Sequence, residues 1–212
     1  MTTRPVTTKP TGLRERKKQA TRVALREAAM RLALERGPDN VRVEDIAEAA
    51  GVSPRTYNNY FSSREEAIVA AVGADREARV AAAIAGRPAR ARLASAVTDA
   101  IVAQYSDPGD EHRDALMLIT THPALRTAFL GATAAITPAL EDVIAARVGD
   151  AGGLTARVLA AAVAAAVRVA LEQWLQPVES IAGFVVTAGS LPEQLRAALA
   201  PLDPAFDAAE GR

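Results

Sequence analysis

The sequence contains no cysteine, so no disulfide, thiolate nucleophile or cysteine-bound metal can contribute to it. Aromatic residues are 4% of the chain against 50% hydrophobic residues overall, which leaves Ala, Val and Leu to build the core. Lysine occurs three times, and opposite charges cancel at 25 of each sign, so net charge places the chain in no class. The longest apolar run, Val158 to Val167, has ten residues and falls short of the roughly 20 that a bilayer span needs. The first residues are polar and lack the apolar stretch of a signal peptide, so a soluble, cytoplasmic protein is expected. What is abundant is alanine, with 49 of 212 residues. Alanine favours helices and disfavours strands, so the expected fold class is all-α.

Charge is unevenly placed. Residues 1–72 carry 13 basic and 9 acidic side chains, whereas residues 73–212 carry 12 and 16. Eight cations (Arg4, Lys9, Arg14, Arg16, Lys17, Lys18, Arg22 and Arg26) face a single acid, Glu15, within the first 26 residues. A cationic end on an acidic body suits an anionic partner met by one part of the molecule, and it also suits a solubilising tail.

Residues 1–12 show no periodicity and read as a flexible tail. Leu13 to Arg36 is patterned as a helix, stopped by Gly37-Pro38. Val43 to Ala50 forms a short helix ended by Gly51, and Ser53-Pro54 opens the next with a cap and a proline in their preferred places. Ser63 to Glu66 is a capping box that opens a helix reaching about Ala85. Beyond it, helices are expected at about 88–105, 112–121, 123–147, 154–176 and 179–200.

Residues 41–64 read VRVEDIAEAAGVSPRTYNNYFSSR. A small apolar face (Ile46, Ala47, Ala50), a glycine for the left-handed turn position and a capped second helix make a helix-turn-helix. The second helix offers Arg55, Thr56, Tyr57, Asn58, Asn59 and Tyr60 in succession, unlike a core helix. In the major groove, arginine pairs with guanine and asparagine with adenine, while hydroxyls reach phosphates.

These residues resemble the TetR-type one-component transcriptional repressors. ALREAAMRLALERG resembles the family's first helix, VEDIAEAAGVS its second helix and turn, and PRTYNNYF its recognition helix. The resemblance covers Arg22 to Ala67; residues 73–212 match only in length, helicity and acidity. It implies a three-helix DNA-binding domain over 13–65, linked by a long helix to a helical ligand-binding and dimerisation domain over 66–212. It also implies that Arg55, Thr56, Tyr57 and Asn58 lie near base edges, with Arg42, Ser53, Tyr60 and Arg64 on the DNA backbone. Asn59 fits either role, and Lys17 and Lys18 fit flanking phosphates or a minor groove. Three positions depart from the family pattern. Arg42 replaces the usual helix-capping Ser or Thr, Ala33 replaces a large aromatic, and Asn58 replaces an aromatic that touches phosphate.

The stretch Leu154 to Gln176 carries its charges Arg157, Arg168 and Glu172 on one stripe with Ala161 and Ala164. Leu154, Val158, Ala162, Ala165 and Val169 flank that stripe on one side, and Leu159, Val163, Ala166, Ala170 and Leu171 on the other. A helix with so narrow a polar face is buried on two sides, one by its own domain and one by a partner, or lies at the centre of a monomer. The resemblance favours the homodimer, and with it a palindromic operator in double-stranded DNA. Helices 88–147 then surround an effector cavity, for which Tyr105, His112, Met117, Thr120, Thr121, His122, Phe129 and Trp174 are candidate lining residues. The scarcity of aromatics favours a small apolar, aliphatic effector. Some relatives respond to fatty acyl-CoA esters, which extends the resemblance to an acyl-CoA-like effector, although no phosphate-binding motif is visible here. His112 and His122 do not have a metal-ligand spacing, and no catalytic triad order, phosphate loop or dinucleotide fingerprint occurs, so neither an enzyme nor a cofactor is expected. A ligand-released repressor is the leading reading, and a DNA-binding protein without a small-molecule switch is the alternative.

Overall fold

The computed structural model describes residues 11–73, 76–106, 113–150, 153–176, 180–181, 184–185 and 190–211. The first ten residues of the expected tail, and His112, lie outside the described residues; Thr11 and Gly12 already belong to the first helix. The chain divides into two compact units, residues 1–71 and 72–212.

In the first unit, α1 (Thr11–Arg36) packs on α2 (Val43–Ala49), and α2 on α3 (Pro54–Tyr57). α4 (Arg64–Val72) follows. The buried stripe of α1, formed by Leu25, Ala28, Ala29, Leu32 and Ala33, repeats at helical spacing. It meets Val41, Ile46, Ala47, Tyr57, Phe61, Ala67 and Ile68 in one apolar core. Ala33 is 1% exposed while Leu34 is 47% exposed, so the position lacking its usual aromatic keeps only a methyl group in the core.

The second unit comprises α5 (Arg76–Ala85), α6 (Leu93–Ser106), α7 (Arg113–Thr121), α8 (Pro123–Gly131), α9 (Thr137–Val148), α10 (Leu154–Trp174), α11 (Leu191–Leu199) and α12 (Asp203–Ala209). α10 is central, packed on α8, α9, α11 and α12, while α5 pairs with α6 and α9. Two-residue strands β1 (Ser180–Ile181) and β2 (Phe184–Val185) pair antiparallel, with Ser180 opposite Val185.

The all-α class stands, and several helix limits differ from the sequence reading for local reasons. The helix expected from Ser63 to about Ala85 is two helices, α4 and α5, with Gly73 in the turn after α4. Glycine costs about 1 kcal/mol relative to alanine inside a helix, which makes such a break cheap. The helix expected over 123–147 is interrupted by a 3-10 turn, Ala132–Ile136, and restarts with Pro138 in its first turn, where the missing N–H costs no bond. The helix expected at 88 starts at Leu93, because the carbonyls of residues 87, 88, 89 and 91 turn instead towards the Arg147 guanidinium, at 2.7–3.5 Å. The last expected helix, 179–200, is confined to Leu191–Leu199, opened by a Ser190–Glu193 capping box, with the short strands ahead of it.

The two sides of α10 separate as the pattern anticipates. Leu159, Val163, Ala170 and Leu171 are buried, whereas Leu154, Val158 and Val169 are 74%, 56% and 53% exposed. Ala164, which the pattern places on the polar stripe, is buried. By length and composition alone α10 is long and apolar enough to cross a membrane, contrary to what its ten-residue apolar run suggests. Eight of its 21 residues are buried against the rest of the unit, and its other apolar side is exposed. At the end of the unit, α12 is tied to α6. Arg92 grips the Asp207 carboxylate at 2.6 and 3.1 Å, and the Leu93 N–H donates to Glu210 Oε2 at 2.9 Å.

Truncating a fully enclosed side chain of α10 leaves a cavity the helix cannot collapse. Leu171→Ala is expected to destabilise the second unit by about 2–5 kcal/mol, read as a lowered midpoint in guanidinium denaturation.

Candidate nucleic-acid interface

Ser53 caps α3 by accepting from the Thr56 N–H at 3.1 Å, and its hydroxyl shares a 3.0 Å hydrogen bond with the Thr56 hydroxyl. Gly51 occupies the left-handed region at φ 69°, and the Val52 N–H donates to the Ala47 carbonyl at 2.9 Å, closing the corner between α2 and α3. The helical stretch is short. After Tyr57 the chain continues as turns, in which Tyr60 and Phe61 both donate N–H bonds to the Tyr57 carbonyl.

Tyr57 is placed otherwise than the sequence suggests. Its side chain is fully buried, it packs on Phe61 with ring centroids 5.9 Å apart, and its hydroxyl donates to the Ser63 carbonyl at 2.7 Å. Burial, reinforced by the nearby Glu66 and Glu65 carboxylates, pushes its ionisation well above the ordinary tyrosine range. The run of polar residue types concealed a residue whose ring belongs to the core and whose polar tip has its own acceptor.

Arg64 is held by the protein itself. Its Nη1 donates to the carbonyls of Asp39 and Val41 at 3.1 and 3.0 Å, its Nε donates to Glu65 Oε1 at 2.7 Å, and its Nη2 lies 3.6 Å from the Asp39 carboxylate. With each nitrogen engaged by the protein, Arg64 staples the connection between α1 and α2 to the start of α4, a structural role the sequence does not announce. Glu66 departs slightly from the expected capping box. Its backbone N–H donates to Ser63 Oγ at 3.1 Å, but its carboxylate reaches Ser62, accepting from both the N–H and the hydroxyl at 2.7 Å.

The remaining candidates lie at the surface. Arg42, Arg55, Asn58 and Asn59 are exposed, and Thr56 and Tyr60 are half-buried. At the start of α2 the missing Ser or Thr cap is partly replaced by Asp45, whose carboxylate accepts from the Arg42 N–H at 2.9 Å. This leaves the Arg42 guanidinium outside the cap. Lys17 and Lys18 are exposed on the N-terminal turns of α1. Arg22, on the same helix, is exposed and holds its guanidinium 5.1 Å from the centroid of the buried Phe61 ring. Its role as a packing residue was hidden in a run of cations.

The effector-site candidates of the second unit divide. Tyr105 and Phe129 are buried, at 8% and 5% exposure, and Thr120, His122 and Trp174 are half-buried. Met117 is 65% exposed, and Thr121 is exposed with its hydroxyl bonded back to the Met117 carbonyl at 2.8 Å, so neither lines an interior space. Their α7 helix turns that face outwards. Sequence reasoning passed over Arg76 at the start of α5, whose guanidinium stacks 4.1 Å from the Tyr105 ring centroid and 5.8 Å from that of Phe129. An isolated arginine beside Glu77 gives no signal of this in the sequence. No group of three or more metal-ligating side chains converges among the described residues.

Removing the Tyr57 hydroxyl tests its place in the fold. Tyr57→Phe is expected to cost about 0.5–1.5 kcal/mol at neutral pH. The native state holds the phenol proton to higher pH than the unfolded chain, whose tyrosines ionise near about 10. Its stabilisation is therefore complete below that value and declines as pH rises above it. The variant should show a shallower alkaline loss of stability than wild type in denaturation curves recorded across that range.

Comparison with known proteins agrees with this arrangement. Residues 25–72 match the family "Bacterial regulatory proteins, tetR family", and residues 87–206 match the MftR C-terminal domain of TetR-type proteins. The HTH-type transcriptional regulator TcmR of Streptomyces glaucescens is 33% identical over 147 residues, a match spanning 65% of each chain. Among solved structures, the chain resembles Thermus thermophilus FadR, a TetR-family repressor captured with lauroyl-CoA, at 20% identity and a TM-score of 0.49 over 85% of this chain and 92% of that one. It also resembles a TetR-family regulator from Rhodococcus sp. at 21% identity and a TM-score of 0.47, over 89% of this chain and 99% of that one. A family matched across both halves of the sequence, with a helix-turn-helix in the first, identifies the chain as a member of the TetR family of bacterial regulatory proteins.

Proposed function

We propose that this protein is a transcriptional repressor that binds a palindromic operator as a homodimer and is released from it by a small effector held in its second domain. The observation that carries the reading is the recognition segment. Its aromatic residues Tyr57 and Phe61 are buried, while Arg55, Asn58 and Asn59, the residue types that read guanine and adenine edges, are exposed. Arg42, Ser53 and Tyr60 flank these readers, and Lys17 and Lys18 extend the positive surface along α1. In this reading residues 13–65 bind DNA and residues 66–212 hold the effector and the dimer contact.

The exposed side of α10 supports the dimer. Leu154, Val158, Ala165 and Val169 form an apolar stripe, and its alanines permit close approach of a second helix. A two-fold pair of short recognition segments reads two half-sites about one turn of DNA apart, which compensates for the few base contacts that one segment makes. Effector binding moves the dimer from bound to free by favouring a conformation whose half-site spacing no longer fits. A shift from about 99:1 to 1:99 takes roughly 5.5 kcal/mol of differential affinity.

Selection of bound sequences from a random DNA pool tests the reading directly. Wild type is expected to enrich a palindrome, and Arg55→Ala to blur it, at a cost of about 1–3 kcal/mol on the selected site. Lys17→Ala should weaken binding to all sequences alike and lower the salt slope by about one. Retention without any enriched sequence would overturn the operator reading. For the dimer, Val158→Asp combined with Val169→Asp should give monomers in analytical ultracentrifugation.

A further inference from the structure

Within the second unit, Arg76 is in an unusual position for a cation. Its guanidinium lies over the Tyr105 ring at 4.1 Å and near Phe129 at 5.8 Å, both rings being buried, and its Nε is buried with no hydrogen-bond partner. Arg126, one helical turn before Phe129 on α8, repeats the pattern. Its Nη1 donates to the Leu175 carbonyl at 3.3 Å, but its Nε is buried and has no hydrogen-bond partner. No carboxylate pairs with either guanidinium among the described residues, and Glu77, next to Arg76, is exposed. A buried donor left unmade costs free energy, and here two arginines of the same unit each bury such a donor, one of them over the Tyr105 and Phe129 rings.

We infer that Arg76 is the anchor for the carboxylate of an otherwise apolar effector, with Tyr105 and Phe129 against the apolar part next to the head group and Arg126 as a second cation behind Phe129. The inference rests on the effector-binding role proposed above for the second domain. The guanidinium edge bearing Nε presents two N–H groups in the fork that matches a carboxylate. Tyr105 restrains the guanidinium before the ligand arrives, with its ring centroid 4.1 Å away and a side-chain hydrogen bond between the two residues, so less rotamer entropy remains to be lost on binding. The Ala, Val and Leu side chains of α6, which packs on α5, suit an unbranched aliphatic body better than a second charge.

The test uses the full-length protein at constant ionic strength, titrated with decanoate and, in parallel, with decan-1-ol, which has the same chain without the charge. Trp174 is the only tryptophan and precedes the Leu175 carbonyl that Arg126 holds, so its fluorescence reports the titration. Wild type is expected to bind decanoate at least about tenfold more tightly than the alcohol. Arg76→Gln is expected to lose that preference, and Arg76→Lys, which keeps the charge but not the fork, to retain only part of it. Far-UV circular dichroism confirms folding of each variant, and if Arg76→Gln unfolds the lysine variant decides alone. Equal affinity for the two probes, no saturable response to decanoate, or a preference undiminished in the variant that decides would overturn the inference. The DNA selection on wild type is scored separately. Its failure with the decanoate preference intact would count against the repressor reading alone, and loss of the preference with a palindrome recovered would count against this inference alone.

Discussion

A buried phenol needs an acceptor for its proton, and in the first unit that need shapes the surface opposite. Tyr57 finds its acceptor in the Ser63 carbonyl, which forces the chain between α3 and α4 to curl back over six residues. With Tyr57 and Phe61 both drawn inwards, Arg55, Asn58 and Asn59 are left on the outside. Arg64 secures the same corner from the other side by bonding the carbonyls that follow α1. These exposed polar residues are therefore held by contacts that never reach the surface. This is how a helix of only four residues can present a defined set of side chains.

The second unit is built on a different balance. Its central helix α10 is rich in alanine, which gives up side-chain volume for close helix approach and leaves the larger neighbours on α9 and α11 to fill the space. Polar work inside the unit falls to arginine. Arg147 collects the carbonyls of the segment before α6, Arg92 holds α12 in place, and Arg76 lies across two aromatic rings. With 22 arginines and three lysines, the chain uses the side chain whose planar fork can serve several acceptors at once.

Much of this could be read from the sequence, and the failures share a cause. The helix-turn-helix was legible because each of its parts has a local signal: Gly51 for the left-handed turn, Ser53 and Pro54 for the helix start, and small residues on α2 for a close crossing. The two sides of α10 were legible because periodicity alone separates them. Tyr57, Arg64, Met117 and Thr121 are placed otherwise than their residue types suggest, because residue type does not fix direction. A tyrosine between Thr56 and Asn58 carries no mark that its ring points inwards, and an arginine at a helix start carries none that two distant carbonyls will occupy it. Arg76 went unseen because its aromatic neighbours lie 29 and 53 positions away.

The sequence by itself determined the helical class, the turn and caps of the first unit, and which stripe of α10 is apolar, because all of these follow from interactions within a few residues along the chain. Tertiary structure alone decided which polar side chains remain available to a partner. That depends on where the Ser63, Asp39 and Val41 carbonyls come to rest, and on which rings meet the Arg76 guanidinium. Such acceptors and neighbours are brought into reach only when separate helices pack, and a hydrogen bond made across that distance leaves no pattern in the local sequence.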